Sequence, residues 1–294
     1  MKIIIVLVIL LAVYLIMIMP RMNGRPDFSP LFRNNSENRA SGDNISGESK
    51  SASDPSDMLY YAHRGLHDNE SETPENSMAA FRKAIDAGYG IEFDVQLTKD
   101  RIPVVFHDAS LQRVCGVPGN VRDYTYEELQ QFPLCRSNER IPLFADFLKL
   151  VDGKVPLIIE IKIHENADTV CSIVDELIRG YKGAYCVESF HPFAVRWYKK
   201  HRPEVIRGQL SGNMAKPGQP ESLVKRLVHY LLTNILAKPD FIAYDHRNKN
   251  NISRVICRKL YKPLGVAWTV KSQQDLDACR EDFDLFIFEG FLPR

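Results

Sequence analysis

The sequence has no CxxC pair among its 6 cysteines, and that absence removes a zinc ribbon and a thiol redox motif from consideration. Cys115, Cys135, Cys171, Cys186, Cys257 and Cys279 are scattered and read as core or surface thiols. Their even number permits disulfides in an oxidising compartment, but a domain of this size does not require them, so cysteine usage leaves the compartment open. An excess of charge is missing as well. With 38 Lys and Arg against 37 Asp and Glu, the formal net charge is +1, which supplies no broad positive field to follow a phosphate backbone. General nucleic-acid binding is therefore not expected, no obligatory protein partner is evident, and small acidic substrates fit the balance. Aliphatic residues are nearly absent from Asn34 to Asp57, where seven Ser stand beside a single Ile45. Such a segment cannot bury enough surface to offset chain entropy, and residues 21–57 are expected to be a flexible linker.

The amino end has the opposite character. Ile3 through Met19 are 17 apolar residues without a charge, bounded by Lys2 and by Pro20-Arg21. At 1.5 Å per residue this run spans roughly 25 Å, and large Ile, Met and Pro stand where a signal-peptide cleavage site needs small residues. Residues 1–20 are thus expected to be a single transmembrane anchor, with a membrane as partner and residues 58–294 as the catalytic-size domain. Arg21, Arg25, Arg33 and Arg39 follow the run and only Lys2 precedes it, which inclines the domain weakly to the cytoplasmic side.

From Met58 onward, short β-rich runs alternate with helical patterns, the rhythm of a parallel sheet wrapped by helices. Strands are expected at 59–62, 90–95, 104–107, 155–161, 184–189, 205–210, 241–244, 265–270 and 285–288. Helices are expected at 77–87, 126–132, 167–179, 193–201, 222–236, 253–260 and 273–279. A barrel needs eight strands. The connection from Gln96 to Pro103 is too short for a parallel crossover, so 104–107 is expected to return as a hairpin partner. The stretch from Asp108 to Pro142 is long for a βα connection and reads as an inserted flap beside the active end. The fold class is α/β, an irregular TIM (β/α)8 barrel preceded by the membrane helix and the disordered linker.

Four strand ends carry polar clusters: His63-Arg64-Gly65, Glu92-Phe93-Asp94, His107-Asp108 and Glu160-Ile161-Lys162. In such a barrel they gather at one rim. Side chains two apart on a strand share a face, so Glu92 and Asp94 point together, as do Glu160 and Lys162. Three carboxylates in one low-dielectric cavity repel unless protonated or neutralised, and a divalent cation is the simplest neutraliser. Oxygen-only donors select a hard ion, Mg²⁺ or Ca²⁺. His63 and His107 flank the trio, and paired imidazoles suit phosphodiester cleavage, one deprotonating the nucleophile and the other protonating the leaving alkoxide. Arg64 and Lys162 add positive charge for the phosphoryl oxygens.

The ordered set His63-Arg64-Gly65, Pro74-Glu75-Asn76-Ser77, Glu92-Phe93-Asp94-Val95 and His107-Asp108 resembles the glycerophosphodiester phosphodiesterase family, of the phospholipase C-like phosphodiesterase superfamily. The resemblance continues through Ile141-Pro142-Leu143, Leu157 to Lys162, Ser189-Phe190 and Trp268-Thr269-Val270, and so covers nearly all of 58–294. It implies an irregular TIM barrel and metal-dependent hydrolysis of glycerophosphodiesters to glycerol 3-phosphate and an alcohol. Position by position it implies His63 and His107 as acid and base, Glu92, Asp94 and Glu160 as metal ligands, and Arg64 and Lys162 on the phosphate. Glu75 would support the site from its edge. Phe190 and Trp268 are candidate walls for the glycerol or a lipid tail. Two positions depart from the family pattern, Lys271 after Trp-Thr-Val and Phe288-Glu289 near the end, with Glu289 able to keep the acidic role.

Two other functions compete. The same chemistry on membrane lysophospholipids would make a lysophospholipase D, and a catalytically silent, membrane-tethered binding module would need none of the His and carboxylate set.

Overall fold

A computed structural model of the chain describes residues 1–32, 60–214 and 222–294. The expected linker from 33 to 57 lies outside the described residues. Among the described residues nine strands occur where alternation places them: β1 (Tyr60–His63), β2 (Gly90–Leu97), β3 (Pro103–Val105), β4 (Leu157–Ile161), β5 (Tyr185–Ser189), β6 (Arg207–Ser211), β7 (Phe241–Asp245), β8 (Leu264–Val270) and β9 (Leu285–Phe288). Eight of them run parallel in the order β1-β9-β8-β7-β6-β5-β4-β2, and pairing of β1 with β2 closes the barrel. The ninth, β3, returns antiparallel on β2 with Val95 opposite Val105, as the short connection requires.

Each parallel return is carried by helix outside the barrel: α3 (Met78–Asp86), α6 (Phe144–Val151), α7 (Ala167–Ile178), α8 (Pro192–His201), α9 (Leu223–His229), α10 (Asn234–Ala237), α11 (Ile252–Tyr261) and α12 (Gln273–Cys279). Two helices, α1 (Lys2–Ile18) and α2 (Ser29–Phe32), precede the barrel, and α4 (Gln112–Cys115) and α5 (Tyr126–Leu129) lie in the insertion. Between sheet and helices, Phe93 meets Phe147 at 4.2 Å and Phe147 meets Phe81 at 4.4 Å between ring centroids. A second apolar set fills the barrel interior, including Tyr61, Ile158, Cys186, Leu210, Phe241 and Ile287. The flap between β3 and α6 has a core of its own, built on Phe106, Leu111, Val114, Val121, Leu129 and Leu134.

One expected helix is broken. Residues 222–236 form α9 and α10 rather than a single rod, because Leu231 takes a left-handed φ of 57° and turns fully into the apolar set with Ile242, Tyr244 and Cys257. Burial of that leucine outweighs helical continuity.

The amino end also differs from its expectation. Helix α1 (Lys2–Ile18) exists, but no helix among the described residues is long and apolar enough to cross a membrane. Its last turns are occupied by the barrel. Ile18 is buried, Asn234 donates to its carbonyl at 2.9 Å, Tyr261 donates to that of Leu15 at 2.9 Å, and Tyr14 shares a 2.8 Å hydrogen bond with Ser253. The exposed apolar part, Ile3 to Val13, is about 17 Å long, little more than half of a hydrocarbon core near 30 Å. The transmembrane anchor expected over residues 1–20 is therefore not found.

Residues 21–32 pack on the barrel as well. Arg21 pairs with buried Asp240 at 3.3 Å, and Arg25 donates to the carbonyls of Tyr261 and Lys262. Two of the arginines invoked for a cytoplasmic side thus have a structural task. Helix α2 (Ser29–Phe32) then carries Leu31, 1% exposed, into the interior apolar set at the end opposite the strand tips, where the Tyr61 hydroxyl donates to its carbonyl at 2.8 Å. Leu31→Ala is expected to cost about 3 kcal/mol of unfolding free energy in urea titrations. A loss under about 1 kcal/mol would show that this residue does not close the barrel.

Candidate active site

Register brings the acids together. Glu92 and Asp94 both face inward from β2, Asp94 stands opposite Glu160 of β4, and His63 of β1 stands opposite Glu92. All three carboxylates are buried and offer oxygens within 4.8 Å of one another. Burial, then Asp94 and Glu160, push the Glu92 carboxyl well above the usual range, and burial likewise raises Glu160. Asp94 goes the other way: burial would raise it, but Lys162, His107 and Arg64 together hold it well below the carboxylate range. Oxygen donors alone, crowded in a dry cavity and reluctant to carry their full charge, fit a hard divalent cation.

Arg64 and Lys162 sit among these acids. Lys162 is 3.0 Å from Asp94 and 2.7 Å from Glu160, and Arg64 is 2.6 Å from Glu75 and 3.6 Å from Asp94. Asn76 donates to Asp94 at 2.9 Å and fixes its second oxygen. The loop between β1 and α3 needs its glycine: Gly65 has φ +82°, and a Cβ there would lie 2.9 Å from the Ala80 carbonyl carbon.

Both imidazoles are oriented from behind. His63 Nδ1 lies 2.6 Å from Glu289 Oε2, and its Nε2 faces Glu92 at 3.8 Å. Burial and neighbouring Arg64 lower His63 to about 4, while the His63 hydrogen bond, aided by Lys271, keeps Glu289 well below the carboxylate range. A neutral ring with its proton on Nδ1 and its lone pair on Nε2, toward the acids, satisfies both shifts. His107 Nδ1 lies 2.5 Å from Asp108 Oδ1, and His107 influences both Asp94 and Glu160.

Arg113 links the two halves. From α4 in the flap it donates to Asp108 at 2.7 and 3.0 Å and to both Glu75 oxygens at 2.6 and 2.7 Å, and Glu75 in turn holds Arg64. Phe190 and Trp268 meet edge to face at 5.4 Å at the same end of the barrel. The structure thus brings together His63, His107, Glu92, Asp94, Glu160, Arg64, Lys162 and Glu75, and adds Asp108, Arg113, Asn76 and the Lys271–Glu289 pair at 3.0 Å. Glu188, in register with Glu160 on β5, is a further buried acid with one oxygen lacking a hydrogen-bond partner. Its alternation with Cys186 and Phe190 is the signal that could have singled it out.

Residues 63–281 match the glycerophosphoryl diester phosphodiesterase family. The chain belongs to that family. It is an enzyme of phosphodiester hydrolysis, on a fold whose eight-stranded parallel barrel is the TIM barrel. A glycerophosphodiester phosphodiesterase of Caldanaerobacter subterraneus subsp. tengcongensis is 34% identical over 164 residues, 52% of this chain; the chain spans 66% of that protein, just under two thirds. A lysophospholipase D of Rattus norvegicus is 35% identical over 137 residues, 42% of this chain and 41% of that protein. Among solved structures, an Oleispira antarctica phosphodiesterase in complex with the product sn-glycerol-3-phosphate superposes with a TM-score of 0.63 at 22% identity, covering 79% of this chain and 92% of that one. Family members depend on a divalent metal, and the phosphodiesterase retains the acidic cluster such an ion needs.

Glu75 yields a stability prediction. Burial raises its carboxyl, but hydrogen bonds from Arg113 and Asn69 and the charge of Arg64 together lower it from 4.5 to about 2. Its contribution to stability is present above the unfolded value and is lost as the pH falls from 4.5 toward 2. Glu75→Gln leaves two arginines without their shared anion and is expected to cost about 3 kcal/mol at neutral pH. It should also flatten the fall in stability through that acid window. Equal slopes for both proteins in acid titrations followed by circular dichroism would contradict the assignment.

Proposed function

We propose that the chain hydrolyses glycerophosphodiesters to glycerol 3-phosphate and an alcohol, with His63 and His107 exchanging protons across the phosphate. The observation that carries this reading is the buried trio within 4.8 Å, flanked by two imidazoles whose Nδ1 atoms are each held by a carboxylate. Glu92, Asp94 and Glu160 would hold a divalent cation, which would offset their mutual repulsion and supply charge stabilisation at the phosphoryl oxygens. Mg²⁺ and Ca²⁺ both suit that donor set.

His63, neutral and with a free Nε2, takes the proton of the attacking hydroxyl, which belongs to water or to the neighbouring glycerol. His107, on the opposite flank, gives its proton to the leaving alkoxide. Glu289 and Asp108 hold the two rings so that these atoms stay aimed at the phosphate. Lys162 and Arg64 complete the charge balance around the equatorial oxygens, and Phe190 with Trp268 offers an apolar wall for the organic part. An intact set of this kind has no purpose in a silent binding module.

With glycerophosphocholine and added Mg²⁺ or Ca²⁺, the wild-type protein is expected to release glycerol 3-phosphate. Asp94→Asn should lower the metal-dependent rate at least about a hundredfold. Full activity in that variant, or none from wild type with either ion on any glycerophosphodiester, would reject the reading.

A second substrate class is favoured by one feature. Helix α1 leaves large apolar side chains from Ile3 to Leu11 more than half exposed, a surface suited to the interfacial region of a bilayer rather than to water. Residence at a membrane surface would bring lysophospholipids to the same site. The full chain is expected to float with phosphatidylcholine vesicles and to release choline from lysophosphatidylcholine, and Ile5→Asp with Ile9→Asp should abolish flotation. Unchanged flotation would discard α1 as the contact. Absence of choline release would confine the enzyme to water-soluble diesters.

A further inference from the structure

The flap that carries Arg113 has a feature with no part in the hydrolysis. The backbone N–H of Cys135 donates to the carbonyl of Val114 at 2.7 Å. By standard backbone dimensions this sets the Cα atoms of Cys115 and Cys135 about 5 to 6 Å apart, inside the roughly 4.4 to 6.8 Å that a disulfide spans. Both residues pack against the same apolar cluster of the flap, as do Tyr124 and Phe132. Both are partly exposed thiols, whereas Cys171, Cys186, Cys257 and Cys279 are buried. Cys135 is also held at φ +52°, a conformation that a residue with a Cβ adopts rarely.

We propose that Cys115 and Cys135 form a disulfide across the flap when the chain meets a thiol–disulfide oxidant such as oxidised glutathione. Cys135 attacks first: burial and then Glu75 raise its thiol, but Arg113 opposes them, whereas no cation opposes the burial that raises Cys115. Its sulfur displaces one glutathione thiolate and forms a mixed disulfide. The Cys115 sulfur then attacks the Cys135 sulfur, breaks the bond to glutathione and releases the second glutathione thiolate. Two protein thiols are oxidised to the disulfide, one glutathione disulfide is reduced to two glutathione thiols, and the two protons given up by the protein thiols end on those two glutathione sulfurs. Burial pushes the Cys115 thiol up to about 12, so the second step is slow at neutral pH and the link is durable once made.

The bond would join the end of α4 to the far side of the flap. Arg113, two residues before Cys115, is the group that ties Asp108 to Glu75. The crosslink therefore restrains the support behind His107 as well as the flap itself.

The test equilibrates the full chain with a glutathione redox buffer, quenches with an alkylating agent and maps tryptic peptides without reduction. The expected result is one crosslink, Cys115 to Cys135, with four thiols still alkylatable after unfolding. Trypsin nicks between the two cysteines should leave fragments joined until a reductant is added. Cys115→Ser and Cys135→Ser, each checked for native circular dichroism and glycerol phosphate release, should lose the crosslink and carry glutathione on the remaining cysteine. The proposal falls if equilibrated wild type keeps both thiols, if it carries glutathione without the crosslink, or if the crosslink persists in either serine variant.

Discussion

The mutual repulsion of three buried carboxylates is the constraint around which the site is arranged. Glu92, Asp94 and Glu160 are brought within 4.8 Å by strand register alone, and nothing in an apolar barrel would tolerate that concentration of negative charge without compensation. Lys162 and Arg64 supply part of it from within the protein, and Asn76 fixes Asp94 with a neutral donor. What those groups leave uncompensated is an excess of negative charge of the kind that a divalent ion, on which this family depends, would offset.

Orientation of the imidazoles follows a parallel plan on both flanks. Glu289 comes from the end of the last barrel strand and Asp108 from the start of the flap, yet each takes the Nδ1 side of a histidine and so fixes how its ring is turned. The supports differ in what stands behind them. Lys271 backs Glu289 from a more exposed position, while Arg113 backs Asp108 and reaches across to Glu75 and so to Arg64. One flank belongs to the barrel, and the other depends on how the flap is seated.

Much of this was legible in the chain because it obeys a period of two. The inward pair Glu92 and Asp94, the pair Glu160 and Lys162, and the polar strand ends all follow from alternation on buried strands, and the hairpin strand β3 followed from a connection too short to cross over. Arg113 was not legible, since it lies in a flap where no periodicity says which way a side chain points, and its partners are 5 and 38 positions away. The break between α9 and α10 was hidden too, because a tertiary contact of Leu231 decided it. The amino end misled for a related reason: an apolar run signals that it must be covered, but not by what, and its last turns are covered by α10 and α11.

Leu31 has a further meaning for where this fold begins and stops. The segment that matches the family runs from residue 63 to residue 281, yet the barrel interior is capped by a side chain far upstream, and strand β9 with Glu289 lies downstream of that match. The matched stretch therefore leaves out parts of the barrel that the structure uses. A protein trimmed to it would lose its floor at one end, and at the other a stave of the barrel together with the acid behind His63.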